Sequence, residues 1–150
     1  MLSRLIQLLL LLTTLQVSAG VKPVYFAHDS EKATEATASF IRTLFIENHP
    51  KLAYEKTHDN FKKAISYPAF LALSESVDKS NEVYEITHTR MIYGADIIEV
   101  YCKQESEGND TLYFLFTMTG STPNGYKLSG VRYASRPVIP VELSNPVIIY

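Results

Sequence analysis

Apolar residues recur at spacings of three and four along the first third of the chain, at Ala33, Ala36, Phe40, Ile41, Leu44 and Phe45. That spacing predicts one buried face of an amphipathic helix. Asp29 or Ser30 can cap it, and Glu31 lies in its first turn near the positive helix end. Pro50 disfavours helix at His49, so the end is expected near Glu47. Pro50 can itself open a second, short helix with Leu52, Ala53 and Tyr54 facing inward, because its missing N–H is no loss there. Thr57-His58-Asp59-Asn60 reads as a break rich in capping residues, followed by a brief turn or helix over residues 61–65. Ser66 then caps a third helix, with Pro68 in its first turn, running to about Val77. Its buried side is Phe70, Leu71, Leu73 and Val77.

The pattern then changes from helical to alternating. Residues 82–93 predict a long strand with Tyr84, Ile86, His88, Arg90 and Ile92 on one face. Gly94-Ala95 turns it into a second strand that starts at Ile97 and runs through Cys102. A polar turn at Glu107-Gly108-Asn109-Asp110 leads to a third strand over residues 111–118, and a turn over residues 121–125 leads to a fourth over 126–133. β-Branched and aromatic residues crowd these runs, and Gly, Asn, Asp and Pro separate them. Short connections imply antiparallel pairing. The third strand is apolar on both faces, with Phe114 and Phe116 on one and Tyr113 and Leu115 on the other. A half-exposed strand alternates instead, so this one is expected to be central with its second face covered. Helices followed by a strand meander predict an α+β domain, with three helices packed on one face of an antiparallel sheet. Pro137, Pro140 and Pro146 exclude helix and central strand from the tail, residues 135–150, and predict an extended segment. Val147-Ile148-Ile149-Tyr150 carries no proline and can add as an edge strand, on its own sheet or on a partner's.

Residues 1–19 read as a signal peptide. Arg4 precedes an apolar run from Leu5 to Leu15, and Val17-Ser18-Ala19 supplies small or modest residues where a signal peptidase reads them. The run falls short of the roughly 20 residues a membrane span needs. The chain is therefore expected to be exported, periplasmic or extracellular, with no stable membrane span after cleavage. Residues 20–134 form the domain and 135–150 the tail. A total of 150 residues suits one domain, and a net charge of −2 without a basic stripe argues against a nucleic-acid partner. The one cysteine, Cys102, cannot form an internal disulfide and reads as a small buried hydrophobe. Asn109-Asp110-Thr111 matches the glycosylation acceptor pattern, which matters only in a eukaryotic source.

Residues 36–79 resemble the helical half of small exported domains of the nuclear transport factor 2-like superfamily. The resemblance rests on Ala53-Tyr54-Glu55-Lys56-Thr57, on Phe61-Lys62-Lys63-Ala64-Ile65-Ser66 and on Phe70-Leu71-Ala72-Leu73. Tyr126-Lys127-Leu128-Ser129-Gly130-Val131-Arg132-Tyr133 resembles the last strand of that group. It implies a cystatin-like cone, a strongly bent sheet wrapped around a long helix with a pocket at the open end. Some members of the group are enzymes with a pocket Asp–His pair, or a base and a tyrosine. Many others bind ligands or partners, dimerise, or serve extracytoplasmic assemblies, so fold alone does not assign function.

His58-Asp59 places a carboxylate beside a histidine that it could tune as a base, but adjacent residues rarely point at one substrate, and a capped, solvated loop is the better account of the pair. His88 becomes a pocket base only if its strand face is concave. Four scattered histidines lack ligand spacing, and there is no phosphate-binding glycine loop or nucleophile elbow, so neither metal nor cofactor is expected. Ten tyrosines suit an interface, although strands are rich in tyrosine in any case. The reading that follows is a non-catalytic exported domain that binds a protein partner or a small apolar ligand, as a homodimer through the outer sheet face. Phe40, Leu44, Tyr54, Phe61 and His88 are the candidate ligand-binding residues. The alternatives are a small isomerase or hydrolase using His88 or His58, and a periplasmic component of a larger complex with the tail as docking arm. Cleavage after Ala19 is the first testable consequence: mass spectrometry of the exported protein should find its N-terminus at Gly20, whereas Met1 retained in a membrane fraction would identify an anchor.

Overall fold

A computed structural model describes residues 27–77, 83–105, 111–137 and 147–149. The segment expected to be a signal peptide, the turn carrying Asn109 and most of the tail lie outside the described residues. Helix α1, Ser30–Ile41, begins where Asp29 accepts a hydrogen bond from the Lys32 N–H at 3.1 Å. Buried Thr37 satisfies its own hydroxyl by donating to the Ala33 carbonyl at 2.8 Å. The helix then widens into a π-helical turn, Arg42–Ile46, closed by Glu47 N–H donating to the Arg42 carbonyl at 2.8 Å. A wider turn advances each residue by a smaller angle, so Thr43, Leu44 and Phe45 are all buried in succession. Asn48, at φ +53°, ends it in the left-handed conformation that asparagine tolerates, and His49 N–H donates to the Thr43 carbonyl across the end.

Three short helices follow: α2, Pro50–Glu55; α3, Asp59–Ala64; and α4, Tyr67–Glu75. The segment expected as a turn or helix is thus a helix, started by the His58 ring, whose Nδ1 accepts from Asn60 N–H at 3.2 Å. The strands are β1, Tyr84–Ile92; β2, Ile97–Glu105; β3, Thr111–Ser121; β4, Gly125–Ala134; and β5, Val147–Ile149. They form one antiparallel sheet in the order β4-β3-β2-β1-β5, and α1 crosses β1 to β4 on one face. The architecture is α+β, and β3 lies inside the sheet, with Phe114, Leu115 and Phe116 all buried. Among the described residues, no helix is long and apolar enough to cross a membrane.

One feature of β1 departs from simple alternation. Ile86 pairs with Cys102, but His88 pairs with Tyr101, so an extra residue is inserted between them. Neighbouring residues of β2 point to opposite faces, and the bulge therefore carries His88, Arg90 and Ile92 to the face away from α1. Thr87 sits at the bulge and donates its hydroxyl to the Tyr101 carbonyl at 3.3 Å. A second bulge, between Thr117 and Met118, keeps Met118 opposite Leu128 and Phe116 opposite Val131 on the helix-facing side.

The end of the tail pairs on the chain's own sheet. Ile149 lies opposite Tyr84 and Val147 opposite Ile86, and Ile149 is buried in the core. Three residues of pairing supply few ladder bonds, so burial of the Ile149 side chain is a substantial part of the docking. Ile149→Ala should lower unfolding free energy by about 2–4 kcal/mol, the usual cost of emptying a buried aliphatic site. Denaturant melts would check it, and an unchanged midpoint would mean that β5 contributes nothing to the folded domain.

Candidate functional site

The candidate residues separate into two groups. Phe40, Leu44 and Phe61 are buried on the helix-facing side, and Tyr54 packs against them at its margin. The Phe40 ring meets Phe70 at 6.4 Å and Phe116 at 6.2 Å, while Phe61 meets Phe70 at 5.9 Å, all edge-on. Tyr54 stacks obliquely on Phe70 at 5.3 Å and donates its hydroxyl to the Ile65 carbonyl at 2.7 Å. The free volume between Phe40, Leu44, Phe114 and Phe116 is about 10 Å³. That is roughly the space of one water, far below the roughly 300 Å³ at which ligand pockets begin. Leu44 and Phe61 therefore fill the interior, while Phe40 also borders a separate cavity of about 440 Å³ with Glu55, Lys56, Met118, Tyr126 and Leu128.

His88 does not join them. The bulge at Thr87 puts it on the outer sheet face, where it is exposed and its ring lies 5.8 Å from that of Tyr101. Expecting His88 beside Tyr84 and Ile86 assumed uninterrupted alternation, and one inserted residue reverses it. Around His88 the outer face carries paired charges. Glu99 accepts from Arg90 Nε at 2.7 Å and from the Tyr101 hydroxyl at 2.8 Å. Lys103 bridges Glu85 and Glu105, each at 2.8 Å. These contacts set the protonation of the face. The hydrogen bond and charge of Glu99 raise Arg90 above its ordinary value, and Glu105 and Glu85 do the same for Lys103. Lys103 in turn lowers the Glu105 carboxyl. Burial, followed by the hydrogen bond to Glu99, pushes Tyr101 up to about 12. Cys102, on the helix-facing side, is raised mainly by burial and stays a thiol, unsuited to nucleophilic work.

A polar cavity of about 370 Å³ lies at the β3–β4 hairpin. His58, Asp96, Thr119, Ser121, Asn124 and Lys127 line it, brought from the α2–α3 loop, the β1–β2 turn and the hairpin itself. His58 N–H donates to the Leu128 carbonyl at 2.8 Å, which fixes the loop to β4, and Gly120 N–H donates to the Asp96 carbonyl at 2.9 Å. Gly120 is required there: at φ +156°, a Cβ would collide with the Gly125 carbonyl. His58 and Asp59 do not converge, because Asp59 points to solvent and pairs loosely with Lys62 at 4.0 Å. The carboxylate that shares a cavity with His58 is Asp96, 38 positions downstream and beyond the reach of any local motif. The cap also sets the chemistry of His58. Its Nδ1 lone pair is engaged by Asn60 N–H, so the neutral ring carries its proton on Nε2 and offers a donor, not a base.

Among the described residues, no cluster of three or more His, Cys, Asp or Glu side chains could hold a metal ion. No family profile, curated protein or solved structure matches this chain. The Glu99 cluster yields a pH test. Between about pH 10 and about 12, the unfolded chain has released the tyrosine proton that folded Tyr101 retains, so stability should fall as pH rises through that window. Glu99→Gln should move the Tyr101 titration downward without returning it to 10, because burial, the larger cause, remains. Tyrosine-ring carbon shifts followed by NMR would check this; an unmoved titration would show that Glu99 does not act on the phenol.

Proposed function

We propose that this chain is an exported, non-catalytic recognition domain of the nuclear transport factor 2-like type, whose partner is a protein and not a small apolar ligand. The observation that carries this reading is the filled interior, where Phe40, Leu44, Phe114 and Phe116 leave about 10 Å³. The cavity of about 440 Å³ that Phe40 borders with Met118, Tyr126 and Leu128 is where the ligand-binding alternative would seat its ligand, and the outer surface is where a protein partner would dock. The outer sheet face is the surface assigned to the partner. It presents Arg90, Arg132 and His88 exposed around half-buried Tyr113, a mixture of arginine and aromatic groups that suits protein interfaces. A second copy of the chain is the first partner to test. Leu115 is already 7% exposed and Tyr101 4% exposed in the single chain, so a dimer would rest on the rim of this face more than on its centre.

The second reading, a small pocket enzyme, is favoured by the meeting of His58, Asp96 and Lys127 in one cavity. The engaged Nδ1 of His58 counts against it, since the base would have to give up its capping bond. Two measurements on the purified protein test the leading reading. An apolar fluorescent probe should show no saturable one-to-one binding, and light scattering at micromolar concentration should give twice the chain mass, with Arg132→Glu shifting it toward monomer. Stoichiometric uptake of the probe would restore the ligand-binding alternative. A monomer that Arg132→Glu leaves unchanged would remove the second copy as partner.

A further inference from the structure

We infer that the cavity at the β3–β4 hairpin binds a small zwitterion of amino-acid type, with its carboxylate toward His58 and Lys127 and its ammonium toward Asp96. The cavity lies at the hairpin end of the sheet, shares no lining residue with His88, Arg90, Tyr113 and Arg132, and does not depend on the assignment of those residues to a protein partner. Its polarity follows from the order of the strands. Lys127 is on β4, and His58 lies just beyond the free edge of β4, tied there by its N–H bond to Leu128. Asp96 lies on the other side of β3, where its carbonyl accepts from Gly120. Two strand spacings, roughly 10 Å of backbone, therefore separate the cationic side from the anionic side. The side chains from both sides line one cavity of about 370 Å³. Among the described residues, no ion pair within 4.0 Å joins Asp96 to Lys127 or to His58.

The remaining groups fit the same ligand. With its Nδ1 engaged by Asn60 N–H, His58 presents Nε2–H as a donor, the polarity a carboxylate requires. Asn124 donates its Nδ2 to the Ser121 hydroxyl at 3.2 Å, which leaves its own carbonyl oxygen to accept from an ammonium. Other ligand classes fit less well. A divalent cation wants several oxygen ligands, usually with more than one carboxylate, and Asp96 is the one carboxylate in the lining. A lone phosphate would meet Asp96 as a like charge. A sugar would lack the broad aromatic platform on which its ring could stack, since no Phe, Tyr or Trp lines the cavity.

NMR titration of the purified protein with glycine and L-serine tests this, with acetate, methylammonium and inorganic phosphate as single-charge probes. The amino acids should give saturable shifts at His58 and at Asp96. They should bind about tenfold more tightly than acetate or methylammonium, the gain expected from one added charge-assisted hydrogen bond. Asp96→Asn should reduce the amino acids to the acetate level while leaving acetate itself no weaker, since a like charge is removed, and Lys127→Met should reduce them to the methylammonium level. Asp96→Asn retains the backbone bond to Gly120, and an unchanged melting temperature would show that the hairpin is intact. Phosphate binding more tightly than the amino acids, amino acids binding no better than acetate, or an Asp96→Asn variant with undiminished affinity would each overturn the assignment.

Discussion

Phe40 sits where the layers of this domain meet. Its ring on α1 is held edge-on between Phe70 of α4 and Phe116 of β3, and Phe70 in turn touches Phe61 of α3 and Tyr54 of α2. Burying one phenyl ring is worth roughly 1.5–3 kcal/mol, and each edge-on pair adds about 0.5–1.5 kcal/mol. The short helices depend on this chain of rings. Helices of six to nine residues are too short to hold their own shape in water, so tertiary packing must supply what propensity does not. The same rings occupy the space a ligand would need. Stability of the helical layer and the closed space between Phe40, Leu44, Phe114 and Phe116 are consequences of one packing arrangement.

What was legible in the sequence was local. Asp29, Pro50, Ser66 and the spacing of Ala33, Phe40, Ile41 and Leu44 act within one or two turns, and the helices start where they point. The hairpin turns were equally plain, because Gly94 and Gly125 adopt the positive φ that glycine takes without strain. Residue Thr87 was not legible. Its neighbours alternate in a manner consistent with an unbroken strand, and a bulge exists only relative to the partner strand that it faces. One hidden insertion moved His88 from the expected interior to the outer face. The π-helical turn at Arg42–Ile46 escaped for a related reason: the apolar pair Leu44 and Phe45 satisfies an α-helical spacing as well as a wider one.

The polar cavity was hidden for a third reason. Its side chains come from positions 58, 96 and 119–127, and only the sheet brings them together. His58 and Asp59 are neighbours in sequence, yet the strand register elsewhere in the chain determines which carboxylate shares a cavity with the histidine. The capping character of the Thr57-His58-Asp59-Asn60 break was readable, and that part proved the more informative. A histidine that accepts a hydrogen bond from a helix N–H has committed its tautomer, and with it the polarity of whatever it can recognise.

Both edges of the sheet are managed by segments outside the meander, and this couples the cavity to the fold. An unpaired edge strand invites association, so each needs a cover. At β1 the cover is β5, anchored by Ile149 in the core. At β4 it is the α2–α3 loop, through the bond from His58 N–H to the Leu128 carbonyl. His58 thus holds three positions at once: its backbone closes an edge, its Nδ1 starts α3, and its ring forms a wall of the cavity. A substitution there changes edge protection, helix capping and ligand contact together. Lys127 and Asp96 carry no such structural duties in their side chains, so the chemistry of the cavity is separable from the fold through them and not through His58.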